Sequence, residues 1–72
     1  MKIKSLWGIF DAENMLVNDE TFVFMFDAIH YCKSTWTYKE WNEWGFTLNR
    51  FDVDIGDNIE FGEQINPYAY EY

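Results

Sequence analysis

Phe51, Val53 and Ile55 alternate with Asp52 and Asp54. Side chains on a strand point to opposite faces with a period of two, so this run predicts a strand with one buried face and one carboxylate face. The strand is expected over Phe46–Ile55. Gly56-Asp57 reads as the turn that follows, and Asn58–Phe61 as a returning strand.

The rest of the chain supplies partners for that hairpin. Ile3–Phe10 reads as a strand, with Gly8 marking a bulge or a close backbone approach. Asp11-Ala12-Glu13-Asn14 reads as a hairpin loop in which Asn14 is suited to a positive φ. Met15-Leu16-Val17 begins the return, and Asn18-Asp19-Glu20 is expected to interrupt it. Phe22 and Phe24 alternate, which predicts a strand through Phe24; Phe26, Ile29 and Lys33 then take helical spacing, which predicts a helix over Phe26–Lys33. Thr37-Tyr38-Lys39-Glu40 matches a capping box, so a second helix is expected over Tyr38–Trp44, ended by Gly45. Trp41 and Trp44 are three apart and share a face of that helix. After Gly62 the periodicity fades, and Pro67–Tyr72 reads as extended, mobile unless it docks. These elements add up to an α+β fold: a small antiparallel sheet of three to four strands packed by one or two short helices.

With 72 residues the chain is expected to form a single domain, residues 1–72, with 64–72 as an aromatic and acidic C-terminal tail. A domain of this size buries only about 60% of its unfolded surface. Cys32 is the lone cysteine, so a disulfide within the chain cannot compensate. The aromatic residues can: four Trp, five Tyr and seven Phe are more than one small core hides, which leaves some for an interface. Lys2 and Lys4 precede an apolar stretch, Leu6–Phe10, too short for a secretory signal, and no segment is long enough for a membrane helix. The expected location is the cytoplasm of a bacterial host cell.

The formal charge is −8, and it is lopsided. Residues 1–36 carry five acids against Lys2, Lys4 and Lys33, whereas residues 37–72 carry eight acids against Lys39 and Arg50. From residue 51 onward there are six carboxylates and no basic side chain. Such a run repels nucleic acid and anionic membranes and attracts basic surfaces, although an acidic exterior also serves solubility.

Catalytic and metal chemistry find little support. His30 and Cys32 stand at i and i+2 on the predicted helix, where they do not face each other, so no nucleophilic dyad is expected. The run from Asp52 to Glu63 begins like a calcium loop, but Gly56-Asp57 stands where ligand and glycine belong, and the alternation favours a strand. No catalytic residue, metal site or cofactor is expected, and an enzyme is the least favoured class. Aromatic stacking on nucleic acid works within a positive groove, which this chain lacks.

The inverse arrangement fits better. Asp52 and Asp54 on one strand face would stand about 6.6 Å apart, close to two base-pair steps of about 3.4 Å each. Asp52, Asp54, Asp57, Glu60 and Glu63, with Glu40 and Glu43 as a second patch, could imitate a phosphate track for a partner's Arg and Lys. Trp41, Trp44, Phe61 and Tyr68 would anchor the contact. In size, acidity and aromatic content the chain resembles the small inhibitor proteins of phages and mobile elements: anti-CRISPR, anti-restriction and DNA-mimic proteins. That resemblance implies a larger basic partner, a nucleic-acid-binding enzyme or complex of the host. The alternative is an assembly module that self-associates, as a homodimer or particle subunit, through exposed aromatics and a free sheet edge.

Overall fold

A computed structural model describes residues 4–54, 56 and 58–70 of the chain. The order of elements is β1 (Lys4–Phe10), β2 (Leu16–Phe22), α1 (Met25–Thr35), α2 (Tyr38–Trp44), β3 (Thr47–Val53), β4 (Ile59–Ile65) and a short 3-10 turn at Pro67–Ala69. The four strands form one antiparallel sheet in the order β2-β1-β3-β4, and the two helices pack on it, the α+β fold expected from the sequence. Ile3, Ile55, Asp57, Glu71 and Tyr72, which entered the expectations, lie outside the described residues.

Local chemistry accounts for the joints. In the β1–β2 hairpin, Asp11 Oδ1 accepts the main-chain N–H groups of Glu13 (2.8 Å) and Met15 (3.0 Å), and Asn14 takes the expected positive φ of 61°. The capping box is complete: Thr37 Oγ1 accepts Glu40 N–H at 3.2 Å, while Glu40 Oε1 accepts Thr37 N–H at 3.0 Å. Gly45 ends α2 in the left-handed region at φ 69°.

Asn18-Asp19-Glu20 interrupts the pairing of β2 as expected, although the strand continues beyond it, and two other boundaries differ from expectation. Asn18 and Asp19 adopt φ of 58° and 53°, and the strand bulges so that Leu16 pairs with Phe10 and Thr21 with Gly8. The extra residues loop out and pairing resumes. The strand then stops at Phe22, and α1 starts at Met25, one residue before the expected Phe26. Finally, β4 runs past Gly62 to Ile65, because a second bulge opposite Arg50 breaks the alternation without breaking the strand. Gly62 faces the Arg50 side chain there: a Cβ would lie 2.5 Å from Nη2 of the guanidinium, so a larger residue requires that flexible end to shift.

Register assigns the faces of the sheet. Directly opposed residues share a side, as do residues two apart on one strand. Trp7, Ile9, Phe22, Leu48 and Ile65 therefore share one face, and this face meets Ala28, Ile29 and Cys32 of α1 and Trp41 of α2 in the main core. Leu6, Phe10, Leu16, Phe51, Val53, Ile59 and Phe61 share the other face, away from the helices. Its centre is Gly8, over which Leu16, Phe51 and Phe10 close, with Phe10 edge-on to both Phe51 (5.5 Å between ring centres) and Phe61 (5.0 Å). The row Phe51–Val53 is thus not the one buried beneath the helices.

Residues 64–70 are docked and compact where an extended segment was expected. Gln64 and Ile65 belong to β4, and Pro67 is buried at the start of the 3-10 turn. The Tyr68 hydroxyl stands 2.7 Å from the Trp36 carbonyl oxygen and 3.1 Å from that of Cys32, so its single proton is donated to part-buried carbonyls at the C-terminal end of α1, the nearer being that of Trp36. Lys33 Nζ donates to the Tyr70 carbonyl oxygen.

Candidate interaction surfaces

The described acidic residues are spread over several places in the fold. Asp52 lies on β3 directly opposite Glu60 on β4, both on the helix-bearing face of the sheet but toward the end where β1 begins. Opposed residues bring their Cβ atoms within about 4.5–5.5 Å. The two carboxylates are therefore neighbours across strands, a closer pair than the Asp52–Asp54 spacing along one strand. Arg50 shares this face two residues away, with its guanidinium held against Gly62 and its Nε buried without a hydrogen-bond partner.

Asp54 has a different task. It lies just past the end of β3, and its Oδ1 accepts the N–H groups of Gly56 (2.8 Å) and Asn58 (3.1 Å). The Asn58 N–H, followed by that of Gly56, holds the Asp54 carboxyl below the ordinary aspartate range. Asp54 caps the β3–β4 turn and adds charge there, but its oxygens are already engaged. Asp57 lies outside the described residues. Glu63 sits in the β4 bulge, exposed. On α2, Glu43 is exposed, while the Glu40 carboxylate is used by the capping box. The calcium-like run is divided between β3, the turn and β4, and among the described residues no three His, Cys, Asp or Glu side chains converge on a metal-sized site.

The four aromatic candidates separate as well. Trp41 is a core residue, 5% exposed, packed on Trp36, Phe46 and Tyr68, so it presents little surface for a contact. Sharing a helix face with Trp44 did not imply sharing an environment, because α2 reaches its end at Gly45 and Trp44 projects beyond the core. Tyr68 is half-buried and spends its hydroxyl on α1. Trp44 remains 63% exposed and Phe61 52% exposed, on different sides of the molecule: Trp44 at the end of α2, Phe61 on the helix-free sheet face beside Ile59.

A feature that the sequence did not single out lies at the opposite end of the sheet from Asp52 and Glu60. Asp11, Ala12, Glu13, Val17, Trp44 and Phe46 line an open groove of ≈ 500 Å³. The left-handed Gly45 brings the end of α2 onto the hairpin, where a Cβ on it would stand 3.3 Å from Ala12 Cβ. The hint in the sequence was two-fold: a hairpin loop carrying Asp11 and Glu13, and an aromatic on each side of a helix-ending glycine.

Cys32 is fully buried and His30 is exposed. Burial pushes the Cys32 thiol up to about 12, far from the thiolate that nucleophilic chemistry requires. Cys32 serves as a small apolar core residue.

Among the described residues no helix is long and apolar enough to cross a membrane. No protein-family model matches the chain, and no curated protein or solved structure matches it.

Proposed function

We propose that this protein is a non-enzymatic binding protein that covers a basic, nucleic-acid-binding surface of a larger protein and blocks access to it. The observation that carries this reading is the directly opposed Asp52–Glu60 pair. Like charges facing each other across strands lower stability. A partner's Arg or Lys placed between them reverses the sign, because one cation then satisfies two acceptors through charge-assisted hydrogen bonds. The net charge of −8 supports the same direction, since it steers the protein toward a cationic surface and away from nucleic acid. Small acidic inhibitors that phages and mobile elements deploy against bacterial defence enzymes, the anti-CRISPR, anti-restriction and DNA-mimic class, are the biological setting this reading favours, with the host cytoplasm as its place.

The test is retention from a bacterial lysate by tagged protein at low and high salt, with the retained proteins identified and then challenged with DNA. The expected result is one nucleic-acid enzyme, released by salt and displaced by DNA, and lost when Asp52→Asn and Glu60→Gln are combined. Retention that is indifferent to salt, to DNA and to the double substitution removes the reading.

A second reading rests on its own observation. The sheet face carrying Phe61 and Ile59 has no helix over it, and these two residues are 52% and 55% exposed. An uncovered apolar sheet face is a surface on which a second copy can stack, as sheets do about 10 Å apart in sandwiches. This observation supports the assembly alternative, self-association through exposed aromatics together with a free sheet edge.

A further inference from the structure

The groove between the β1–β2 hairpin and the end of α2 combines three properties. It has aromatic walls: Trp44 and Phe46, with ring centres 5.7 Å apart, the former 63% exposed. It has two carboxylates, Asp11 and Glu13, and no basic residue among those that line it. It is also held by rigid parts. Asp11 is fixed by the two N–H groups that its Oδ1 accepts, and α2 is fixed by its complete cap and its left-handed Gly45.

We propose that this groove receives an arginine side chain of a protein partner. The guanidinium plane would lie against the Trp44 indole, and its N–H groups would donate to the Glu13 carboxylate and to Asp11 Oδ2, which is not the oxygen committed to the turn. Guanidinium suits such a site better than ammonium, since it is planar, weakly hydrated and able to stack and donate at once. Charge complementarity selects this occupant. A neutral apolar segment would leave two carboxylates desolvated without partners, and an acidic one would be repelled.

The groove deepens the proposed function by naming the residue type it recognises at a second place. The two acidic stations lie at opposite ends of β1, from Ser5 to Phe10, about 17 Å apart at the rise of an extended strand. Each can therefore be removed without touching the other.

The experiment titrates N-acetyl-arginine amide into isotope-labelled protein and follows the Trp44 indole N–H and the Glu13 amide by NMR. A single side chain is expected to bind in the millimolar range. N-acetyl-citrulline amide, shaped alike but uncharged, and N-acetyl-lysine amide serve as comparisons. The expected result is saturable movement of both signals by the arginine compound. Trp44→Ala should weaken binding about two- to fivefold, as measured on the Glu13 amide, and Glu13→Gln should do so to a similar extent. The combined Asp52→Asn and Glu60→Gln protein should bind as the original does. Equal binding of citrulline, movement confined to Asp52 and Glu60, or no saturation with arginine each overturns the proposal. Since Trp44 and Glu13 are exposed, the amide spectrum of each variant also shows directly whether the fold is retained. If the groove binds arginine while lysate retention is indifferent to salt, the broader reading fails and the groove stands. Failure of the groove with salt-sensitive retention is the reverse case.

Discussion

At the scale of single residues, the most constrained position is Gly8. It sits on the central strand between β2 and β3, and a Cβ there would lie 2.9 Å from both Leu16 Cδ1 and Phe51 Cε1 and 3.3 Å from Phe10 Cε2. Phe10 and Phe51 are both buried and packed edge to face, so neither has room to retreat. Gly8→Ala is therefore expected to destabilise the fold by about 1–3 kcal/mol through overpacking, despite the better strand propensity of alanine. Urea unfolding checks this; an unchanged midpoint would mean that the second apolar cluster is loose. Gly62→Ala is the informative comparison, because its Cβ would meet the far end of Arg50, a flexible side chain, and should cost less. The sequence marked Gly8 as a close approach, and that much was legible. It did not show which side chains approach, since that depends on pairing with β2 across a bulge.

At the scale of elements, legibility followed how local the determining chemistry is. The boundaries of α2 could be read to the residue, because a capping box and a left-handed glycine both act within a few residues. The continuity of β2 and β4 could not. In each, polar or glycine residues that look like a turn are a bulge that only the neighbouring strand makes tolerable. The choice of face was likewise non-local. Alternation at Phe51 and Val53 says that two faces differ, but the helices chose the face of Leu48, and β1 had announced the outcome by being apolar on both sides at Leu6, Trp7, Ile9 and Phe10. The docking of the C-terminal turn on α1 brings a pH dependence. Burial raises the Cys32 thiol from 9.0 to about 12. Tyr68 is raised from 10.0 to about 12, first by burial and then by the negative charges of Cys32 and Glu40. In both, folding favours the protonated form, so their contribution is fully present below the unfolded value and is lost as pH rises toward the folded one. The melting temperature should fall with rising pH from 9.0 onward, and in Cys32→Ala the fall should be delayed toward the ordinary tyrosine value of 10.0. Thermal unfolding across that range tests it; the same onset in both proteins would show that the thiol does not titrate with folding.

At the scale of the whole molecule, charge and apolar surface pull in opposite directions, and salt separates them. A net charge of −8 on 72 residues makes two copies repel. The same charge draws in a cationic partner. Raising the ionic strength shortens the screening distance from about 10 Å at 0.1 M to about 3 Å at 1 M, which weakens both effects. Partner binding through Asp52 and Glu60 should therefore decline with salt, whereas stacking of two helix-free faces should improve, since burial of Ile59 and Phe61 is not screened and the repulsion is. The expected behaviour is a monomer at low salt and a growing dimer fraction at high salt, measured by light scattering at fixed protein concentration. Phe61→Glu places a carboxylate at the centre of the proposed contact and should stay monomeric throughout. It should also leave salt-sensitive retention of the partner unchanged, because Phe61 and Glu60 point to opposite faces of the sheet. A monomer at every salt concentration in the unsubstituted protein would remove the assembly reading and leave the open face as a cluster closed only by its own rings. Loss of partner retention in Phe61→Glu would instead join the two surfaces into one interface wrapped around the β4 edge.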